Sequence, residues 1–294
     1  MNILAIDIGG SKIAVGIVDD NGNVIYSEKE KLPEGTNADL LLSVIKNKCD
    51  TAAEKYNFDR IGITIPGLAD VKNGIWVYAP FSGINNFPIA EKISGMYGGK
   101  KVYIENDVNA CAIGEKYFGC CKNTDDFIWI TISNGIGGSV FTNGSIYTGF
   151  NGNAGEIGHI KVRDDDEFVC GCGGLGCVEA VAAGPGIKKR YGENITAEEI
   201  AKMARTGNNP KAVEIFYDTG YYIGKAISSA INMLNPEMVV FGGGVSQSLD
   251  LLENGIKDAM ERYMFKAANK NIKLSQTALG YNAALIGAAA ITLM

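Results

Sequence analysis

Strands alternating with helices along 294 residues make this an α/β chain, and one short layout, strand, glycine turn and Asn-Gly hairpin, occurs near its start and again near its middle. Length agrees, since a chain of this size has room for two domains. Asn2 to Asp7 reads as the first strand, Gly9 and Gly10 as a tight turn, and Ile13 to Val18 as a second apolar run. Asn21 and Gly22 mark a hairpin into a third strand from Val24. Asp39 opens a helix whose Leu40, Leu41, Val44, Ile45 and Cys49 share one face, running on towards Tyr56. Arg60 to Ile65 is a further strand, stopped by Pro66 and Gly67. Lys101 to Ile104 leads into Glu105, Asn106 and Asp107, then a helix through Ala110, Ile113 and Phe118.

In the second half, Phe127 to Ile132 is an aromatic and β-branched strand, Gly135 to Gly138 a glycine turn, and Asn143 with Gly144 the second hairpin signal. Gly220 to Leu234 reads as an apolar helix ending at Asn235 and Pro236, Met238 to Phe241 as a buried strand, and Ala283 to Met294 as an alanine-rich terminal helix. No Pro- or Ser-rich linker separates the halves, and the junction is expected near Gly119.

Composition excludes several classes. Hydrophobic residues at 46% and charged ones at 20% describe a soluble globular chain. Asp7 precedes any basic residue, so no secretory leader is expected, and no apolar run reaches the ~18 residues of a membrane span. Net charge is −6 and the basic residues form no stripe, which argues against nucleic acid as a partner. Cys49, Cys111, Cys120 and Cys121 show no disulfide framework, so a reducing cytoplasm is the expected compartment.

The densest chemistry lies between His159 and Glu179, which hold the only histidine and three of the seven cysteines. Cys170, Cys172 and Cys177 stand among Gly171, Gly173, Gly174 and Gly176, which let the backbone fold the thiolates onto one point. With His159 they form the three-sulfur, one-imidazole set that a tetrahedral structural zinc prefers. Cysteines that are free or disulfide-paired beside an ordinary loop histidine are the alternative.

Three glycine turns suit phosphate. Asp7, Gly9, Gly10, Ser11 and Lys12 follow a strand; there backbone N–H groups can approach a polyphosphate, Lys12 adds charge, and Asp7 can hold hydrated magnesium, with a plain β-hairpin as the alternative that glycines serve equally. The second turn holds Asn134, Gly135, Gly137 and Gly138, and the third is Gly242, Gly243 and Gly244 after a buried strand and before a helix. None of the three matches a P-loop or a clean GxGxxG after the first strand. Asp107 sits between a strand and a helix, at the carboxyl edge where α/β clefts form, and reads equally as a catalytic base or as a helix N-cap. Glu156 and Glu179 flank the cysteine cluster as candidate acceptors for sugar hydroxyls, or, on the surface, as plain solvated charges.

Together DIGGSK, ENDVNA, NGIGG, GEIGH, CGCGGLGCVE and FGGGVS resemble, in order and over the whole chain, the bacterial ROK family of repressors, open reading frames and kinases acting on sugars. The resemblance implies the actin-like ATPase (ribonuclease H-like) fold, two α/β domains around a cleft. Residues 1–118 with the returning helix 283–294 would form the first domain, and 119–282 the second with its zinc loop. It implies Asp107 as the general base towards a sugar hydroxyl attacking the γ-phosphorus of ATP. Asn106, Glu156, His159 and Glu179 would be sugar ligands, with Gly67 near the same pocket, and ATP, magnesium and zinc would be bound. A homodimer is implied as well.

Family members commonly carry Thr where this chain has Asn134, which puts the γ-phosphate contact at issue. Glucose is the leading substrate, with N-acetylmannosamine or N-acetylglucosamine next. Fructose is disfavoured, because family fructokinases tend to have Pro-Glu-Met where Gly155, Glu156 and Ile157 stand. A sugar-responsive repressor would carry a helix-turn-helix ahead of Asp7, where six residues stand.

Overall fold

The computed structural model describes residues 1–79, 83–192 and 194–294. The chain folds as two compact units. The first comprises Met1–Asn123, Thr148–Asn153 and Thr277–Met294, and the second Thr124–Tyr147 and Ala154–Gln276.

The first unit runs β1 (Asn2–Ile8), β2 (Lys12–Asp19), β3 (Val24–Lys31), α1 (Ala38–Ala53), β4 (Arg60–Ile65), β5 (Leu68–Asp70), β6 (Ile75–Tyr78), β7 (Asn85–Phe87), α2 (Ile89–Met96), β8 (Val102–Asn106) and α3 (Asp107–Tyr117). Its main sheet has the order β3-β2-β1-β4-β8 among the described residues. The first three strands form an antiparallel meander, and β4 and β8 add in parallel. That arrangement sends the carboxyl ends of β1, β4 and β8 to one edge, where Asp7, Gly67 and Asp107 lie.

The second unit runs β9 (Phe127–Ile132), β10 (Ile136–Thr142), β11 (Ser145–Tyr147), α4 (Val178–Ala182), α5 (Gly184–Tyr191), α6 (Ala197–Arg205), α7 (Pro210–Leu234), β12 (Met238–Gly242), α8 (Leu249–Tyr263) and β13 (Lys273–Gln276). Its sheet, β11-β10-β9-β12-β13, repeats the first: a meander followed by two parallel strands. The layout shared by the two halves of the sequence is thus a shared topology. The fold is the actin-like ATPase fold.

The packing explains the sequence patterns. On one face of the first sheet Ile6, Ile63 and Ile104 meet Leu41 and Ile45 of α1. On the other, α9 (Ala283–Ala290) lies directly on the strands, so close that a Cβ at Gly62 would stand 1.6 Å from the Ala288 carbonyl oxygen. Such contact requires the small side chains of the last helix, whose Ala288 and Ala289 are fully buried. In the second unit Ile128, Ile130 and Ile132 pack with Phe216, Ile223 and Ile227 of α7.

Several boundaries move. Helix α7 begins at Pro210, ten residues before the expected start at Gly220, because Asn209 caps it and Pro occupies its first turn. The terminal helix ends at Ala290 instead of Met294. Gly137 and Gly138 are not part of a turn: they belong to β10 and pair with Thr131 and Ile130. The glycines after β12 lead first into a 3₁₀ turn over Val245–Ser248, and the α-helix starts at Leu249. Among the described residues no helix is long and apolar enough to cross a membrane.

Candidate functional site

In the first unit, candidate residues gather at the carboxyl edge of the sheet. The β1–β2 connection is a tight hairpin in which Gly9 N–H donates to the Lys12 carbonyl at 2.8 Å. A cavity of about 280 Å³ opens beside it, lined by Gly9, Gly10, Ser11, Thr36, Pro66 and Trp76 among others. Lys12 is exposed at the start of β2. Asp7, on the penultimate residue of β1, accepts a hydrogen bond from Thr64 Oγ1 at 2.8 Å. Burial pushes the Asp7 carboxyl above its ordinary value, opposed by that bond and by the charges of Lys12 and Lys29. A hard carboxylate oxygen beside a bare-backbone hairpin fits magnesium, which takes one or two carboxylates and keeps several waters.

Asp107 is the first residue of α3, and the cap of that helix is its neighbour. Asn106 Oδ1 accepts from Val108 N–H at 2.9 Å and Asn109 N–H at 3.2 Å, while Asn106 Nδ2 donates to the Gly67 carbonyl at 3.0 Å. One amide proton of Asn106 is left for a ligand. Gly67 sits at φ +85°, in the left-handed region, and Trp76 Nε1 braces the preceding Pro66 carbonyl at 2.9 Å. Asp107 Oδ1 accepts from the Val108 N–H at 3.1 Å. Burial, then the charge of Asp7, pushes its carboxyl up to about 7. A carboxylate destabilised in this way is a stronger base than one in water.

In the second unit the cysteine loop closes on itself. His159, Cys170, Cys172 and Cys177 bring one ligand atom each to within 4.8 Å of all the others. Cys172 Sγ and Cys177 Sγ are 3.8 Å apart, and Cys170 Sγ lies 3.6 Å from His159 Nδ1. A tetrahedron of thiolates at zinc–sulfur distances has edges of about 3.8 Å, so the donor set fits that ion in chemistry and the Cys172–Cys177 separation fits it in size. A Cβ at Gly174 would come within 3.2 Å of Cys177 Sγ and 3.3 Å of Cys172 Sγ, which shows how tightly the loop wraps the thiols. Burial pushes the Cys170 thiol up to about 12 and raises Cys177, whereas the Gly174 N–H holds Cys172 below its usual value. Metal binding requires all three as thiolates.

Glu179, on α4, faces this loop and the second glycine turn together. Its Oε2 accepts from the Ile136 N–H at 3.0 Å, and its Oε1 lies 3.6 Å from Cys170 Sγ. Glu156 is exposed, its Oε2 3.7 Å from His159 Nε2, the ring nitrogen turned away from the sulfurs. Of the second turn's residues, Asn134 is exposed and Gly135 packs on Glu179. Gly138 is in strand, pressed so close to Gly155 that a Cβ would meet the Gly155 carbonyl oxygen at 2.6 Å. Packing also accounts for Gly242 and Gly243, beneath the Trp129 ring and the Ile132 carbonyl, while Gly244 alone of the three faces open space.

Two residues in the first unit escaped the motif reading. Thr64 is one, hidden because a threonine in a strand of isoleucines reads as an ordinary β-branched residue. Glu115 is the other, a fully buried carboxylate that accepts from Cys120 N–H at 2.8 Å, Ala278 N–H at 3.0 Å and the Thr277 hydroxyl. Its signal is an acidic residue eight positions, about two turns, beyond Asp107 on the inner face of α3.

The ROK family model matches residues 3–294. A glucokinase of Thermotoga maritima is 28% identical, over 99% of this chain and 97% of its own. The DNA-binding transcriptional dual regulator NagC of Escherichia coli is 30% identical over 98% of this chain and 74% of its own length. Among solved structures, a ROK family glucokinase from Streptomyces griseus in complex with glucose and AMPPNP superimposes with a TM-score of 0.85, at 29% identity and 98% coverage of each chain.

Proposed function

The chain belongs to the ROK family, and as an ATP-dependent sugar kinase of that family we propose that it transfers the γ-phosphoryl group of ATP to the 6-hydroxyl of glucose. The observation that carries the reading is the state of Asp107: its neighbour caps the helix, and its own carboxylate is left desolvated with a raised pKa beside Asp7. N-acetylmannosamine and N-acetylglucosamine are the next candidates, since epimers and acetyl derivatives call on the same ligand types.

Phosphoryl transfer is mostly positioning and charge stabilisation. In this reading Asp107 accepts the proton of the attacking hydroxyl as the new oxygen–phosphorus bond forms and the bond from the γ-phosphorus to the bridging oxygen breaks, releasing ADP. Asn106, Gly67, Glu156, Glu179 and His159 hold the sugar, His159 through its outer nitrogen. The turn at Gly9, Gly10, Ser11 and Lys12, with Asn134, Gly135 and the backbone at Gly137, Gly138 and Gly242, Gly243, Gly244, receives the nucleotide. Magnesium, anchored through Asp7, supplies neutralisation of the phosphate charge when bound. Zinc on His159, Cys170, Cys172 and Cys177 is structural, shaping the loop that presents His159 and Glu179. A homodimer belongs to the same reading, on family grounds.

A coupled assay of ADP release across glucose, mannose, fructose and the N-acetylhexosamines tests this. Glucose is expected to give the highest kcat/KM. Sugar binding without ADP release would assign the chain instead to non-catalytic sugar sensing, the alternative that its likeness to the transcriptional regulator NagC keeps open.

A further inference from the structure

Three adjacent parallel strands set Asp7, Thr64 and Glu105 side by side, because Asp7 pairs with Thr64 and Thr64 with Glu105. Residues in direct register project to the same face, so one hydroxyl stands between two carboxylates. Thr64 is fully buried and has a single proton to donate. It goes to Asp7 Oδ1 at 2.8 Å. Glu105 bonds to its own helix cap instead, its Oε1 accepting from the Asn106 N–H at 2.9 Å and from Asn109 Nδ2 at 3.1 Å. Asp7 Oδ2 takes no hydrogen bond among the described residues.

We propose that Thr64 is a positioning residue for phosphoryl transfer: its hydroxyl occupies Oδ1 of Asp7 and so presents Oδ2 to the hydrated magnesium that accompanies the nucleotide. The inference rests on the reading of Asp7 as the magnesium anchor. A carboxylate attached to the end of a strand can turn about its last bond, and a charge-assisted hydrogen bond to one oxygen fixes which oxygen points outward. Partners that orient a metal's protein contact in this way typically matter 10- to 100-fold in metal affinity.

The test uses the full-length protein and the variants Thr64→Val, Thr64→Ser and Asp7→Asn. Calorimetry measures AMPPNP binding over a series of magnesium concentrations, and the kinase assay gives the magnesium activation constant and the sugar KM. Thr64→Val, similar in shape but without the donor, is expected to raise the half-saturating magnesium concentration about tenfold and leave the sugar KM unchanged. Thr64→Ser, which restores the hydroxyl, should return it to the wild-type value. Thr64→Ala carries the same expectation should valine crowd the strand and prevent folding. A wild-type magnesium requirement in the donorless variants, while Asp7→Asn abolishes the dependence, would show Thr64 to be plain packing. Failure of serine to restore the requirement would trace the effect to side-chain shape and overturn the proposal equally. Wild-type magnesium dependence in Asp7→Asn would remove the anchor itself, and the proposal with it.

Discussion

Glu179 accepts the backbone N–H of Ile136 at 3.0 Å, and its other carboxylate oxygen lies 3.6 Å from Cys170 Sγ. One side chain therefore joins the second glycine turn to the cysteine loop. Glu179→Ala removes the charged acceptor of the Ile136 N–H and a side chain packed against the cysteine loop, and hydrogen bonds to charged groups contribute about 1.5 to 3 kcal/mol. We expect kcat/KM to fall about 10- to 100-fold, with the KM values for sugar and for ATP both raised. Steady-state kinetics with each substrate varied in turn checks this; a change confined to the sugar KM would show that the turn does not depend on Glu179.

Asp107→Asn keeps the size and the helix start but cannot accept a proton. Turnover is expected to drop about 10²- to 10⁴-fold, with sugar affinity by calorimetry close to wild type. A rate within about threefold of wild type would leave Asp107 no part in proton transfer.

The pH dependence follows from the same residue. Burial and the charge of Asp7 raise the Asp107 carboxyl to about 7, and a base works only when ionised. Activity should therefore be flat above that pH and decline about tenfold per unit below it. Replacing Asp7 by Asn removes the like charge and should move this acid limb to lower pH. A limb that stays in place would mean that burial alone sets it.

The four-ligand loop predicts one zinc per chain by elemental analysis. Removing it with a chelator, or with Cys172→Ser, should raise the sugar KM about tenfold and lower the melting temperature. Full activity and an unchanged melt after complete chelation would oppose a structural zinc.

Glu115 gathers donors from two segments, residues 277–278 at the start of the returning C-terminal chain and Cys120 beyond α3. Glu115→Ala takes the shared charged acceptor away from these part-buried donors, and hydrogen bonds to charged groups contribute about 1.5 to 3 kcal/mol each. Urea unfolding should show a loss of about 3 kcal/mol or more, and Glu115→Gln a smaller one, because its amide oxygen can still accept.

Much of this protein was legible without coordinates. Asn143 and Gly144 take left-handed values, φ +51° and +74°, as an Asn-Gly hairpin demands. Strands β4 and β9 span the residues that their branched and aromatic composition marks. The four residues that could hold a metal, His159, Cys170, Cys172 and Cys177, could be singled out because spacing and glycine content are local properties of a short loop. The helix-cap question at Asp107 was not local in that sense. Asn106 and Asp107 are both good capping residues, and only the backbone geometry at the end of β8 decides that Asn106 bonds the free N–H groups while Asp107 stays beside Asp7. The same holds for Gly137 and Gly138, which a glycine run suggests as turn but which the ladder to β9 takes as strand. Thr64 and Glu115 acquire their meaning from partners 57 and 162 positions away. Sequence by itself determined the periodicities, the turns and the ligand spacing, since these depend on neighbours along the chain. Tertiary structure alone decided which buried polar atoms meet, because parallel pairing and helix packing join segments whose separation leaves no pattern to read.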